Sequence, residues 1–452
     1  MSTLHEERKA IHPKQIWGNS HKWRVYGGIV LFSLFFFTPW ITWGDRPLVF
    51  FDLTLRQFHI LNMTFWPQDF FFLAWFLIIA AFALFLFTTI AGRLWCGFTC
   101  PQTIWTFIFV FVEEKLEGPA HIRRKRDGQV LTKQERTRKV IKHVLWLIIS
   151  LVTGLTFVSY FYPIRELLSD AFTLQLPLSA LFWVGLFTYL TYIDAGFLRE
   201  QVCIYMCPYA RFQSVMYDDD TLAVAYNAGT GEPRMSKAKS DFESSGQSQC
   251  IDCTMCVQVC PTGIDIRDGM QIDCINCGLC IDACDDVMES IGRPKDLITF
   301  NTVNRLKGIK SKIIRPKTVA YMAVLAIMCT LFVYQLLSRS DVEASLTHNR
   351  DRMYQMTKSG TVLNYYTFKI ANKSQLKHDY LVTITNDNFT LREAKPIVLD
   401  KGQFLETFFT VESQLTDGPE TQGIQRITFE IKAADGSSLK QLESRFIYPR
   451  RK

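Results

Sequence analysis

Five stretches of this chain carry no formal charge over a length matching the ~30 Å hydrocarbon layer of a bilayer. They cover residues 25–43, 70–91, 144–162, 171–193 and 318–338. Each is expected as a transmembrane helix, because backbone groups in lipid must be satisfied within the segment. Residues 103–112 are also apolar but only ten long. They are expected to form a re-entrant or interfacial segment, or a hydrophobic face packed on the bundle, and not a crossing. Composition agrees, with 48% hydrophobic residues and 36 phenylalanines, too oily for a water-soluble protein of this size.

Lys plus Arg in the connections number five in residues 1–24, two in 44–69, eleven in 92–143 and one in 163–170. By the positive-inside rule this alternation places the N-terminus in the cytoplasm, and five crossings put the C-terminus in the periplasm. The same clustering beside apolar runs accounts for the net charge of +7 without a nucleic-acid partner. The first stretch is followed by Trp43-Gly44-Asp45, not a small-residue cleavage site, and is expected to stay as an anchor. Of thirteen cysteines, twelve fall in segments assigned to the cytoplasm and Cys329 in the last span. The exported part is therefore not disulfide-stapled, and the other thiols are free to bind metal.

Between spans four and five, cysteines stand at Cys250, Cys253, Cys256 and Cys260, then at Cys274, Cys277, Cys280 and Cys284. Each run is C-x2-C-x2-C-x3-C. Three closely spaced cysteines wrap one face of an iron–sulfur cube, and in two-cluster ferredoxins the fourth cysteine of each run serves the other cluster. Cys250, Cys253, Cys256 and Cys284 are thus assigned to one [4Fe–4S] cluster, and Cys274, Cys277, Cys280 and Cys260 to the second. Structural zinc uses two separated C-x2-C pairs, a poorer match. Asp285, where ferredoxins have proline, departs from the pattern without removing a ligand.

Two further pairs, Cys96-Gly-Phe-Thr-Cys100-Pro101 and Cys203-Ile-Tyr-Met-Cys207-Pro208, each follow a span and an arginine (Arg93, Arg199), which gives the look of an internal repeat. If the segment before proline is helical, cysteines at i and i+4 share a face, and proline ends or kinks the helix beyond them. Soft thiolates suit Cu(I), with Met206 as a third soft donor. A third cluster or zinc, a dithiol/disulfide couple and plain buried cysteine stay open as readings. Cys329 reads as helix packing. Phe65, Trp66, Trp40 and Trp43 read as an interfacial aromatic belt, Asp69 as the cap of the helix starting near Phe70, and His59 and Met63 as solvated loop residues.

From 345 to 452 the pattern changes to alternating runs separated by turn residues at 358–360, 386–388, 417–419 and 435–437. Period two with regular turns means an antiparallel β-sandwich, and about one hundred residues is the size of an immunoglobulin-like module. Its default role is docking, onto a partner or the chain's own bundle. The expected organisation is a cytoplasmic tail (1–24), a transmembrane bundle (25–199) with a cytoplasmic loop (92–143), a cytoplasmic two-cluster ferredoxin-like domain (200–316), a fifth span (317–338) and the periplasmic sandwich.

The order of these parts resembles the FixG/RdxA/CcoG family of cytochrome c oxidase accessory proteins. The residues that carry the likeness are Phe65-Trp-Pro-Gln-Asp-Phe70, Gly92-Arg-Leu-Trp-Cys-Gly-Phe-Thr-Cys-Pro-Gln-Thr103, Cys203-Ile-Tyr-Met-Cys-Pro208, the double cysteine run, Arg315-Pro316 and the terminal sandwich. The C-x3-C-P elements alone also look like membrane subunits of periplasmic nitrate and nitrous oxide reductase systems. The family resemblance implies a role in maturing cbb3-type cytochrome c oxidase, with oxidase subunits or copper chaperones as partners besides membrane lipid. It also implies reduction of Cu(II) to Cu(I), with Cys96, Cys100, Cys203 and Cys207 as functional positions beside the eight cluster cysteines. An electron conduit from quinol to a redox partner and a non-enzymatic assembly scaffold are the rival roles. Anaerobically purified protein is expected to contain about eight iron and eight sulfide per chain. Replacing Cys96, Cys100, Cys203 and Cys207 by serine should leave that iron in place while lowering bound copper, as read by elemental analysis.

Overall fold

The computed structural model describes residues 11–449 apart from 45, 62, 127–128, 235–248, 350–351, 358–359, 375, 393–394, 401, 414–422 and 434–436. The turn expected at 417–419 lies outside the described residues, as do parts of those at 358–360 and 435–437. Two compact units are present, one of Met1–Leu53 with Phe71–Thr330 and one of Thr54–Phe70 with Leu331–Lys452.

The helices used below are α1 (Asn19–Phe37), α2 (Phe70–Ala91), α3 (Leu94–Phe98), α4 (Pro101–Glu117), α5 (Ala120–Arg126), α6 (Lys133–Val158), α7 (Ile164–Phe172), α8 (Leu178–Ile193), α9 (Pro208–Met216), α10 (Leu279–Ser290) and α11 (Pro316–Leu337). Five described segments are long and apolar enough to cross a membrane: Phe70–Ala91, Leu94–Glu117, Lys133–Val158, Leu178–Leu198 and Pro316–Leu337. The chain is a multi-pass membrane protein.

The five segments differ from those expected: the first stretch, 25–43, is not among them, whereas Leu94–Glu117, which contains residues 103–112, is. Three boundaries also differ, for identifiable reasons. The first helix occupies Asn19–Phe37 rather than 25–43, because Thr38–Trp40 with Pro39 turns the chain out of the helix. The third begins at Lys133, where Thr132 and Glu135 form a capping box, and ends at Val158 rather than Tyr162. In the 171–193 stretch, Ala171 and Phe172 finish the short helix α7, and α8 starts only after Pro177. A π-helical turn, Asp194–Leu198, then prolongs it.

The segment containing residues 103–112 doubles back. Along α4, Trp105 bonds Thr153 at 3.2 Å, Phe109 O accepts from Trp146 at 3.0 Å and Glu113 meets Lys142 at 3.5 Å. Thus α4 climbs toward the beginning of α6, which is the basic end. At its other end, α3 lies against the cysteine loop at Cys277. That loop and the basic end belong to one layer: the tail bonds the cysteine domain through Lys14 N to Gln258 O at 2.8 Å, and α5 through Arg124 to His12 O at 2.8 Å. Both ends of the α3–α4 hairpin lie on that side. By contrast α1 traverses the bundle, from Ser20 beside Asp282 to Phe35, whose carbonyl accepts from Tyr160 at 2.9 Å.

The cysteine domain is framed by the antiparallel pair β1 (Ala223–Tyr226) and β2 (Ile298–Asn301). The other unit is an antiparallel sandwich of β3 (Val342–His348), β4 (Val362–Asn372), β5 (His378–Ile384), β6 (Phe389–Arg392), β7 (Ile397–Leu399), β8 (Phe404–Ser413), β9 (Ile424–Ala433) and β10 (Ser438–Ile447). One sheet runs β6-β8-β4-β3, with Gln355–Met356 also on β4, and the other β7-β5-β9-β10. Tyr366, Phe368 and Ile370 of β4 face Ile427, Phe429 and Ile431 of β9 in one buried cluster, the period-two spacing expected of inner sheet faces.

Asp69 does more than cap. Its carboxylate accepts from Trp66 N at 3.1 Å and pairs with Arg339 at 2.7 Å and Lys373 at 3.0 Å, joining residues 54–70 to the sandwich. His59 is buried in a hairpin strand against Thr64, 3.1 Å away, and is not the solvated loop residue expected. Cys329 is exposed on α11 and is not a packing residue. Asp69→Ala would leave Lys373 buried with only Glu343, at 3.0 Å, as an acid partner. A loss of about 3 kcal/mol in the stability of the sandwich unit is expected, visible as earlier proteolysis of that unit in a denaturant series.

Candidate metal and redox site

The two cysteine loops share one backbone pattern. The residues flanking the second cysteine of each run are left-handed: Asp252 (φ 52°) and Thr254 (57°), then Asn276 (53°) and Gly278 (71°). Such residues curl the chain so that successive N–H groups line one concavity suited to an anionic centre. Asp, Asn and Gly accept this conformation readily, whereas β-branched Thr254 does so under strain. After each curl the chain enters a helix, Met255–Gln258 in the first run and α10 in the second.

The fourth cysteines cross between the runs. Burial pushes the Cys284 thiol up to about 12, and Cys256, Asp285, Cys253 and Cys250 add to it, which places Cys284 in the field of the first run. Burial likewise raises Cys274 to about 12, with Cys277 and Cys260 acting in the same direction. Cys280 is raised by burial and then by Cys277, Cys274, Cys260 and Cys256. Cys256 reaches about 11 through burial, opposed by Arg267, whose guanidinium is held by Asp252 at 2.5 Å and Asp265 at 2.6 Å. A small cavity of about 20 Å³ between the runs is lined by Cys256, Cys260, Cys274, Cys277 and Cys280. Thiols raised in this way bind metal with release of their protons. Cys250, Cys256, Cys277 and Cys284 are buried and Cys253 is exposed; eight soft donors in two neighbouring loops have the chemistry that iron–sulfur clusters require.

The membrane-edge pairs depart from a single helical face. Cys96 lies in α3, but Cys100 is the N-cap of α4 with extended backbone (φ −63°, ψ 127°). Cys203 lies in a π-helical turn, Val202–Met206, and Cys207 is the N-cap of α9 (φ −75°, ψ 111°). In both, proline excludes the helical conformation from the cysteine before it and starts the next helix. Each second cysteine therefore sits at a helix N-terminus. The pairs come together: the Cys203 thiol, pushed up to about 12 by burial, is raised further by Cys100, Cys96 and Cys207. Cys96 Sγ also lies 3.6 Å from Oε1 of buried Gln213. Met206 is 62% exposed and does not share this buried environment. Among the described residues no three His, Cys, Asp or Glu side chains converge on a point for a single ion.

Gly97, Arg93 and Asp282 tie the cysteine domain to the helices, contacts that little in their neighbouring sequence announces. A Cβ on Gly97 would lie 2.8 Å from Asn276 O and from Cys277 Cα, so the hairpin and the second cysteine loop meet backbone to backbone. Arg93, buried, donates to Ile272 O and Ala210 O. Asp282 accepts from Ser20 N at 3.1 Å and His21 N at 2.9 Å, capping α1, whose own N-cap side is Gly18. Glycine beside a cysteine was the one local sign of such an approach.

Residues 198–303 match the family described as a 4Fe-4S dicluster domain, and residues 332–449 the family described as an IG-like fold at the C-terminal of FixG. Over 405 residues the chain is 38% identical to protein RdxB of Cereibacter sphaeroides, covering 85% of this chain and 84% of RdxB. It is 36% identical over 409 residues to nitrogen fixation protein FixG of Rhizobium meliloti, covering 82% and 78%. Against protein RdxA of Cereibacter sphaeroides the identity is 37% over 387 residues, covering 82% and 81%. With its apolar helices, dicluster domain and terminal sandwich, the chain belongs to the FixG/RdxA/RdxB family and is a membrane iron–sulfur redox protein.

Proposed function

We propose that this protein reduces Cu(II) to Cu(I) at the gathered thiols of Cys96, Cys100, Cys203 and Cys207, in the assembly of a cbb3-type cytochrome c oxidase. The observation that carries the reading is the backbone contact at Gly97 between that thiol group and the loop of Cys274–Cys277. In the proposed ligand sets, Cys250, Cys253, Cys256 and Cys284 hold one cluster, and Cys274, Cys277, Cys280 and Cys260 the one nearer the hairpin. When bound, the clusters supply single electrons, and copper reduction takes one. Sulfur donors at Cys96, Cys100, Cys203 and Cys207 favour the softer Cu(I) over Cu(II), while Arg93 and Asp282 hold the cysteine domain onto the bundle.

The lysine and arginine distribution supports an inner-membrane orientation with the N-terminus and cysteine domain in the cytoplasm and the sandwich in the periplasm. There the sandwich is free to meet oxidase subunits or copper chaperones. A quinol donor has its own support in an apolar groove of about 460 Å³ between α1 and α4, with Arg24 among its lining residues and Gly97 and Phe98 in its wall. A cytoplasmic reductant is the alternative donor.

Anaerobic titration of reduced protein with Cu(II) is expected to give stoichiometric Cu(I), trapped by a colorimetric chelator. An undiminished yield in the variant with serine at positions 96, 100, 203 and 207 would remove these thiols from the reaction. Gly97→Val should keep its iron yet slow Cu(I) formation by on the order of tenfold to a hundredfold, since small misplacements of reacting centres act at that scale. A quinol analogue should reduce the clusters without copper present; failure to do so would assign the donor to the cytoplasm.

A further inference from the structure

On the side of the bundle where α6 begins, α4, α5, α6 and the turn after α8 enclose a cavity of about 390 Å³ that contains none of the cysteines. Its most buried cation is Arg123, 3% exposed. One end of that guanidinium is engaged, as Nη1 donates to Glu113 Oε2 at 2.9 Å. The other edge, Nε and Nη2, is buried and has no hydrogen-bond partner among the described residues. Those two N–H groups point the same way from a planar fork and match two oxygens of a phosphate or carboxylate. Leaving such donors dry is costly, so the edge is built for an oxyanion.

The surroundings favour an anion too. Six cationic and four acidic side chains line the cavity. Glu113 is already matched by Arg123, Lys142 and Arg199 at 2.9, 3.5 and 3.0 Å. Glu117 pairs with Lys142 at 2.8 Å and Glu135 with Arg126 at 2.8 Å. Arg138 and Lys139 remain exposed at the rim. Immediately along α6, Val140, Ile141 and Val144 are 57%, 43% and 50% exposed. This is where the apolar, lipid-exposed surface of that helix starts. Trp146 and Phe197 give the cavity apolar walls.

We propose that this cavity binds the phosphate group of an anionic phospholipid, gripped by the open edge of Arg123, with the acyl chains lying along α6. Basic pockets between transmembrane helices at the cytoplasmic interface suit such headgroups. A free phosphate offers the same oxygens, but only a lipid also covers the apolar surface beside the rim. The inference rests on the cavity and is independent of copper chemistry.

The test uses the full chain, purified in mild detergent and reconstituted into nanodiscs. Native mass spectrometry should show retained cardiolipin or phosphatidylglycerol, and adding either lipid should raise the melting temperature where phosphatidylcholine does not. Arg123→Lys keeps the charge toward Glu113 but lacks the fork, and should weaken anionic-lipid binding about tenfold with iron content unchanged. Equal response to anionic and zwitterionic lipid, or equal affinity of Arg123→Lys and wild type, would overturn the proposal. If inorganic phosphate alone reproduces the full shift and displaces the lipid, the lipid assignment is overturned in favour of a soluble phosphate. Should Arg123→Lys lose its iron, the rim variant Arg138→Gln/Lys139→Gln decides: weaker lipid binding supports the site, and unchanged binding overturns it.

Discussion

Two stretches of main chain touch at Gly97, one from a hairpin tucked into the helix bundle and the other from the loop that presents Cys277. No side chain separates them, and a methyl group would. The rest of the bundle's design follows from keeping this contact closed. Arg93 clamps one flank by donating to carbonyls of both the cysteine domain and α9. On another flank, Asp282 supplies the acceptor that the first helix lacks at its own N-terminus. The thiols of the membrane edge and those of the ferredoxin-like domain thereby become neighbours, although each set was recognisable only as a separate motif.

Much of this architecture is written locally. The cysteine spacing fixes how the loops curl, because three thiols every third residue need the left-handed turns found at Asp252, Thr254, Asn276 and Gly278. Alternation in β4 and β9 shows which face is buried. The ten-residue apolar run at 103–112 understated its helix, since the apolar segment that holds it extends over Leu94–Glu117. Proline placement could have sharpened the rest: Pro39 and Pro177 mark where two apolar runs stop or start being helical.

What escaped the sequence was long-range. Asp69 looks like a helix cap because its neighbours are a helix start; its partners Arg339 and Lys373 come some three hundred residues later. His59 has a polar neighbourhood in sequence and a buried one in space. The i, i+4 spacing of the cysteine pairs suggested one helical face, but proline in the next position overrides it, and the second pair lies on a wider π turn. Glu113 shows the same limit: three cations from three separate segments meet on one carboxylate, and nothing within its own helix announces them.

Asp282 stands 262 residues after the first backbone group it caps. Ribosomes deliver a chain from its beginning, and domains mature in that order. The leading turn of α1 must then wait, open to solvent, while every intervening crossing is threaded and the cysteine domain is synthesised. Capping of the earliest helix therefore requires the ferredoxin-like half to have been made, while the last apolar helix and the sandwich are still to follow.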